Sequence, residues 1–313
     1  MKTVYCVSPC YNEEEVLGET SKRLFDKMQQ LIDAKKIKKN SKIVFVDDGS
    51  RDRTYEIISD LHEQNDRFCA VKLSRNQGHQ NALLAGLMTV KDKCDAAITL
   101  DADLQDDIDV IDEFVDKFND GCDIVYGVRS SRKTDSAFKR GTAQFFYKLM
   151  LFLGVDVVYN HADYRLMSAR ALDALSDFKE VNLVLRGIVP LVGFKSDTVS
   201  YERHERFAGT SKYPFKKMLA FAVDGITSFS VKPIRMVFSL GVIIFIVSIA
   251  VLIYSLIRWM CGATVQGWTT TVISIWALGG LQLLSLGVVG EYIGKIYKEV
   301  KARPKFIIEE TKF

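Results

Sequence analysis

The 313-residue chain lacks several features that mark common classes of protein. Its six cysteines form no CxxC pair and no cluster with histidine, and most of them fall within or beside apolar stretches, which indicates small buried thiols in a reducing compartment. Its four histidines show no metal-ligand spacing, and the sequence assigns them no chemistry. A net charge of +3 gives no sign of nucleic-acid binding. No long apolar signal follows the first methionine, so we expect the first two-thirds of the chain to be cytosolic.

Charge is also missing from two long stretches near the carboxyl end. Residues 236–257 and 259–290 carry no charged side chain, and Arg258 alone separates them. Each stretch can supply the roughly 20 apolar residues that cross a bilayer as a helix. The alternative is a buried core helix, which usually keeps a polar face. We therefore predict a transmembrane hairpin within residues 233–292, with spans at about 236–257 and 268–290.

Basic residues lie on both sides of this predicted hairpin. They are Lys216, Lys217, Lys232 and Arg235 before it, and Lys295, Lys298, Lys301, Arg303 and Lys305 after it. By the positive-inside rule, both flanks lie in the cytosol. Residues 213–232 mix basic and apolar side chains, as an amphipathic juxtamembrane helix does. We expect residues 1–212 to form a cytosolic domain and residues 293–313 to form a cytosolic basic tail.

The first 130 residues alternate between short apolar runs and helical patterns. The runs predict strands at 3–8, 42–46, 69–73, 96–100 and 123–126, and the patterns predict helices at 13–34, 54–65, 80–91 and 108–119. Such alternation predicts an α/β fold with a mainly parallel sheet and helices on both faces. Ligands of such sheets bind beyond the carboxyl ends of the strands, where the strand order reverses. Three polar clusters lie at those strand ends.

The sharpest cluster is DADLQDD at residues 101–107, after the fourth predicted strand. The carboxylates of Asp101 and Asp103, with a further oxygen at Gln105, suit a divalent cation that also holds phosphate oxygens. Mg²⁺ typically takes only one or two protein carboxylates, which fits this sparse set. The alternative is a solvated acidic turn that caps the next helix, and we expect the last two acids of the motif to do this.

Two weaker clusters follow the first and second predicted strands. DDGS at 47–50 is a good turn sequence by itself, so its value lies in repeating the acid-at-strand-end pattern on a neighbouring segment. SPCYNE at 8–13 places Asn12 or a neighbour where it caps the first helix. A cap does not explain why Pro9, Tyr11 and Glu13 share the same sheet edge.

Together these clusters resemble the family 2 glycosyltransferases, and more closely their dolichyl-phosphate mannose synthase and bactoprenol glucosyltransferase branch. The supporting stretches are PCYNEE, VDDGSRDRT, SRNQGHQNALLAG, LDADLQDD, YGVRSSR, ADYRLMSARAL and RFAGTSKY. They occur in this order over nearly the whole chain and are followed by the apolar hairpin. The resemblance implies a nucleotide-diphospho-sugar transferase-like (GT-A) domain.

The resemblance also assigns roles to individual residues. The implied donor-binding residues are Pro9, Tyr11, Glu13, Val46, Asp47, Asp48, Asp101, Ala102, Asp103, Arg206 and Lys212. It makes Asp103 and Gln105 the ligands of Mg²⁺ or Mn²⁺, and it makes Arg129 and Arg140 the contacts to the acceptor phosphate. The implied catalytic set is Asp101, Asp103, Arg129 and Arg206. For Asp163, a sugar or acceptor contact and a salt bridge with Arg165 or Arg170 both stay open.

The function implied is transfer of a hexose from a nucleotide sugar to polyprenyl (undecaprenyl) phosphate, with inversion, for cell-envelope glycosylation. The resemblance favours UDP-glucose, with GDP-mannose or a modified UDP-pentose as alternatives. It places the enzyme in the inner or plasma membrane as a multi-pass protein. Gly279, Gly280 and the small residues through Gly290 would permit close helix contact and so a homo-oligomer formed through the spans. A processive polysaccharide synthase is disfavoured because the sequence has no QxxRW motif. A non-catalytic lipid-binding membrane module is disfavoured because the DAD and RFAGTSK stretches are intact.

Overall fold

The computed structural model describes residues 1–129, 161–181, 185–202, 232–261 and 267–313. Its strands are β1 Val4–Cys10, β2 Ile43–Asp47, β3 Phe68–Leu73, β4 Ala96–Thr99, β5 Ile124–Arg129, β6 His161–Ser168, β7 Ser196–Tyr201 and β8 Ile308–Lys312. Its α-helices are α1 Leu17–Asp33, α2 Thr54–Gln64, α3 His79–Val90, α4 Ile111–Asn119, α5 Ala169–Ser176, α6 Leu185–Ile188, α7 Lys232–Met260 and α8 Trp268–Lys301. Short 3₁₀ turns occupy Ile108–Val110 and Val189–Val192. The chain divides into two compact units, one holding the eight strands and the other the two long helices.

All eight strands belong to one mixed sheet of order β7-β5-β6-β4-β1-β2-β3-β8. The central strands β4, β1, β2 and β3 are parallel, as predicted. Strand β6 runs antiparallel to both β4 and β5, and β8 runs antiparallel to β3. Every residue of β1 and β2 is buried, which explains why these strands read as continuous apolar runs rather than alternating ones.

Helices on the sheet close the core through residues at helical spacing. In α1, Leu17, Leu24, Met28 and Leu31 are buried on one face. Each such side chain contributes roughly 1.5–3 kcal/mol by leaving water. Helix α3 contacts β1 and β2, where a Cβ on Gly86 would lie 2.5 Å from Val7 Cγ1 and 2.6 Å from Val46 Cγ2. The glycine therefore permits the close approach of this helix to the sheet.

The five predicted strands and four predicted helices of the first 130 residues are confirmed, with ends shifted by a few residues. The largest shift is at the start of α1, which begins at Leu17. The residues before it form a separate turn, in which the Glu13 carbonyl accepts from the Val16 and Leu17 amides. The prediction that Asn12 or a neighbour caps this helix is wrong. Val16 is the N-cap, and it makes no side-chain capping bond.

The carboxyl end differs from the predicted basic tail at 293–313. Helix α8 continues to Lys301, and Ile308–Lys312 forms β8 at the edge of the sheet. The Lys312 ammonium donates to Ser59 Oγ at 2.6 Å, and the Lys93 ammonium lies over the Phe313 ring. The open edge of β3 offers unpaired backbone groups, and a short charged segment can pair there without much apolar content.

In the described part of the chain, the second unit contains α7 and α8, which contact each other. Among the described residues, one helix is long and apolar enough to cross a membrane, over Lys232–Val251, and that stretch is not buried within the protein. Large apolar side chains such as Phe238 and Ile246 are exposed on α7. The second predicted span, at 268–290, lies within α8, and as a span it stays a prediction.

Candidate active site at the strand switch point

The site lies where the strand order reverses. From β1 the chain moves to β2 and β3 on one side of the sheet and to β4 on the other. The loops after β1 and β4 therefore flank the crevice in which open α/β sheets bind their ligands. All three motifs predicted from the sequence end at this edge, since they directly follow β1, β2 and β4.

The loop after β1 is tied to the loop after β2. Asn12, which adopts a left-handed conformation with φ 54°, accepts from the Arg51 amide at 2.9 Å and donates its own amide to Ser50 Oγ at 3.1 Å. The Glu13 amide donates to Thr54 Oγ1 at 2.9 Å. Pro9 is buried beside Val46 in the β1–β2 register, whereas Tyr11 is exposed. These contacts hold Tyr11 and Glu13 at the sheet edge, and their predicted contact with a nucleoside stays a prediction.

The acids of the DDGS turn hold backbone amides. Asp47 accepts from the Ser50 amide, and Asp48 accepts from the Gln77 and Gly78 amides at 2.7 and 2.9 Å. Burial raises the pKa of both carboxyls, although these backbone hydrogen bonds counter it. Gly49 has φ 65°, and a Cβ there would lie 2.6 Å from the Arg75 carbonyl carbon. The turn therefore requires glycine, and Asp48 anchors the loop after β3.

The DADLQDD loop is bent at Leu104, a buried non-glycine residue with φ 58°. Such conformations are uncommon and concentrate at functional sites. Asp103 Oδ1 accepts from the Gln105 amide at 3.2 Å, so the two predicted metal ligands lie on either side of the bend. The Ala102 carbonyl accepts from Thr20 Oγ1 at 2.7 Å, which fixes the loop to α1.

The donor set of this loop fits a hard divalent cation. Carboxylate and amide oxygens are the ligands that Mg²⁺ and Mn²⁺ prefer. Among the described residues, no group of three or more His, Cys, Asp or Glu is arranged as a complete metal site. Asp103 and Gln105 would therefore hold a cation together with water or the oxygens of a diphosphate, as Mg²⁺ sites commonly do.

His79 joins two acids of the site, a role that the sequence analysis missed. Its Nε2 lies 3.5 Å from Asp101 Oδ1 and 3.7 Å from Asp163 Oδ2. Burial alone would lower the pKa of His79, but these two carboxylates raise it overall. Burial raises the pKa of Asp101 to about 6, and the neighbouring carboxylates of Asp106, Asp163 and Asp103 add to the effect while His79 opposes it.

Asp163 is buried among cationic side chains. Its carboxylate accepts from Arg165 Nη2 at 2.6 Å and from Arg186 Nη2 at 3.0 Å. Burial would raise the pKa of Asp163, but Arg186, His79 and Arg165 hold it well below its ordinary value. The salt-bridge alternative is thus confirmed for Arg165. It is wrong for Arg170, which pairs with Asp123.

The last two acids of the DADLQDD motif have different partners. Asp107 caps the following 3₁₀ turn by accepting from the Asp109 amide at 2.9 Å, as predicted. The same prediction is wrong for Asp106, which is buried and accepts from the Tyr201 hydroxyl at 2.6 Å. Arg129, at the end of β5, donates from Nε to the Tyr201 oxygen at 3.3 Å. Arg129 therefore stands beside the loop of the predicted metal ligands.

Three predicted site residues, Arg140, Arg206 and Lys212, lie outside the described residues. Their roles as contacts to the acceptor phosphate and to the donor diphosphate stay predictions.

Comparison with known proteins identifies relatives over nearly the whole chain. The family described as "Glycosyl transferase family 2" matches residues 5–176, and "GtrB C-terminal hairpin" matches residues 232–296. An "Uncharacterized glycosyltransferase YkoT" of Bacillus subtilis is 55% identical, over 97% of this chain and 90% of the relative. A "SfII prophage-derived bactoprenol glucosyl transferase" of Shigella flexneri is 39% identical, over 97% of both chains.

A more distant likeness is found among solved structures. Glucosyl-3-phosphoglycerate synthase of Mycobacterium tuberculosis, in complex with Mn²⁺, UDP-glucose and phosphoglyceric acid, is 17% identical, with a TM-score of 0.46. The match covers 72% of this chain and 78% of that one.

Proposed function

Because the chain belongs to glycosyl transferase family 2, we propose that it transfers glucose from UDP-glucose to a polyprenyl phosphate. The arrangement at the switch point carries this proposal, since a loop suited to a cation and its diphosphate stands beside Arg129. The near-complete match to a relative named as a bactoprenol glucosyl transferase supports glucose as the sugar and a polyprenyl lipid as the acceptor. We propose the site residues in the roles that the resemblance assigns to them.

On the donor side, the requirement is to hold a nucleotide and to balance the charge of the leaving diphosphate. When bound at Asp103 and Gln105, Mg²⁺ or Mn²⁺ would supply most of that balance. Asp101, with its neighbour His79, would contact the ribose or the sugar in this proposal. Arg206 and Lys212 complete the donor set in this proposal.

On the acceptor side, the nucleophile is a phosphate oxygen that is already anionic at neutral pH. A strong general base is therefore not needed, and the protein's task is to place that oxygen beside the anomeric carbon. Arg129 carries a positive charge at the edge of the same crevice and would bind the phosphate, together with Arg140. Displacement in a single step would invert the anomeric centre.

We further propose that the hairpin anchors the enzyme in the inner or plasma membrane, with the sheet on the cytoplasmic side. Strand β8 follows the hairpin in the chain, yet it pairs with β3. This pairing supports a hairpin with both ends on the same side of the membrane, in which α7 crosses the bilayer and α8 returns through it. The basic residues that flank the hairpin favour the cytoplasmic side.

A donor panel tests the proposed reaction. Membranes containing the full-length protein are incubated with polyprenyl phosphate and, in parallel, with radiolabelled UDP-glucose, GDP-mannose and a UDP-pentose. We expect UDP-glucose to label the lipid fraction, with a β-linked product from the α-linked donor if the reaction inverts. EDTA should abolish labelling, Mg²⁺ or Mn²⁺ should restore it, and Asp103→Asn should nearly eliminate it. Labelling from GDP-mannose alone would refute the donor, and lack of lipid labelling by any donor would refute the acceptor.

A further inference from the structure

A buried acid and a buried phenol meet beside Arg129, and neither has a role in the reaction described above. We propose that Asp106 and Tyr201 are positioning residues that hold the Arg129 guanidinium ready for the acceptor phosphate. This inference rests on the proposed function, because it takes Arg129 as a contact to that phosphate.

The three side chains form a continuous set of polar contacts. The Tyr201 hydroxyl donates to Asp106 Oδ1 at 2.6 Å and accepts from Arg129 Nε at 3.3 Å, while Arg129 Nη2 lies 3.9 Å from Asp106 Oδ1. Asp106 is 5% exposed and Tyr201 is 3% exposed, whereas the Arg129 side chain is 23% exposed. The acid and the phenol are thus buried, and the arginine reaches the surface of the crevice.

Packing fixes the Tyr201 hydroxyl in place. Tyr201 and Arg129 end neighbouring parallel strands and are register partners across β5 and β7. The Tyr201 ring meets the Tyr164 ring edge-on at 5.4 Å, and the Tyr164 ring lies 4.7 Å from the ring of Phe114. A hydroxyl on such a held ring can orient the flexible arginine before the acceptor binds.

Orientation matters because a free arginine loses side-chain entropy when it binds. Long cationic side chains have many rotamers, so this loss is large for arginine. A guanidinium has five N–H donors, so engaging Nε with Tyr201 still leaves terminal donors for a phosphate. Asp106 and Tyr201 therefore lower the entropic cost of binding the phosphate, and the terminal N–H groups of Arg129 stay available to its oxygens.

Asp106 also links the two halves of the site. It directly follows Gln105, a proposed metal ligand, and through Tyr201 it contacts the arginine proposed for the acceptor. Asp106 is thus adjacent in sequence to the proposed cation ligand, while its side chain contacts the acceptor side of the site.

The test is a comparison of two tyrosine-to-phenylalanine variants in the full-length protein. Tyr201→Phe removes the hydroxyl that contacts Asp106 and Arg129, and we expect about a tenfold higher KM for polyprenyl phosphate with little change in the KM for UDP-glucose. Tyr164→Phe is the matched control. Its hydroxyl belongs to the same ring cluster but donates to the Asp107 carbonyl at 2.9 Å. We expect its acceptor KM to stay within twofold of wild type.

A double-mutant cycle then shows whether the effect passes through Arg129. In an Arg129→Ala background, Tyr201→Phe should change the acceptor KM no further. Asp106→Asn provides a second variant, should loss of the Tyr201 hydroxyl impair folding, and we expect the same selective rise in acceptor KM. Equal effects of the two phenylalanine variants, or additive effects with Arg129→Ala, would refute positioning. Wild-type protein that transfers no sugar to the lipid would instead refute the proposed function.

Discussion

Replacing Asp163 by asparagine would separate a folding role from a ligand role for this acid. Asn keeps the shape of the side chain but removes the charge that faces Arg165 and Arg186. Arg165 is 1% exposed, and its Nε and Nη1 have no hydrogen-bond partner among the described residues. The variant would therefore leave a buried guanidinium without its closest countercharge.

The expected cost follows from that burial. Removing one partner of a buried ion pair typically costs about 3–5 kcal/mol. For a domain of about 200 residues, each kcal/mol lowers Tm by about 2–4 °C, so we expect a fall on the order of 10 °C. The folded pKa of Asp163 lies below its unfolded value, so its stabilisation is present above the unfolded pKa and is lost only as pH falls through the folded one. Asp163 itself therefore adds no pH dependence between pH 5 and pH 8. Its loss also lowers the pKa of His79, which Asp163 helps to raise, so the destabilisation of the variant should shrink as pH rises through the raised pKa of His79.

Thermal unfolding in one detergent, followed by intrinsic fluorescence, measures this difference. Asp163→Asn combined with Arg165→Met removes both buried charges and should recover most of the lost stability, because an apolar replacement of a buried pair is often neutral. Arg186→Met should cost less, since Arg186 is partly exposed. An Asp163→Asn protein with wild-type Tm but no transfer would refute the structural argument and show that the acid acts on a ligand.

Two further outcomes follow from packing and burial. Gly86→Ala should destabilise the protein by about 1–3 kcal/mol in the same Tm measurement, since the added Cβ meets Val7 and Val46. Gly18→Ala is the control. No atom lies within 4 Å of its added Cβ, so we expect it to be neutral or slightly stabilising. In intact cells, a membrane-impermeant maleimide should label exposed Cys261 from outside. Burial raises the pKa of the Cys6 and Cys94 thiols to about 12, so both should stay unreactive until the protein unfolds. A cysteine introduced at exposed Lys38 that is labelled from outside would contradict the cytoplasmic placement.

The elements that sequence patterns predicted well are those formed by local periodicity. Strands β1 to β5 are short apolar runs between helices, and each lies within a few residues of its predicted position. Strands β6 and β7 were missed for a physical reason. Strand β6 places Asp163 and Arg165 inside the protein as a pair, which breaks the apolar pattern, and the first three residues of β7 are exposed. Strand β8 was missed because its partner, β3, is distant in the chain.

Within the site, too, local patterns could be predicted and contacts between distant residues could not. The strand-end motifs could be found because acids beside buried strands are visible in a linear sequence. The contacts of His79 with Asp163, and of Asp106 with Tyr201, join residues far apart in the chain. No spacing rule in a single sequence reports such proximity, so His79 received no role and Asp106 was interpreted as a cap.

The acidic residues of this edge show why loss of activity alone is weak evidence for catalysis. Asp48 holds the amides of a neighbouring loop, and Asp163 neutralises a buried arginine. Replacing either would displace groups that line the crevice even if neither touched a substrate. Asp103 lies on the bent loop as a proposed metal ligand, so we expect its replacement to reduce transfer by removing a ligand of the cation. Measuring Tm beside transfer for each acid therefore distinguishes those that support the loops from those that bind the donor.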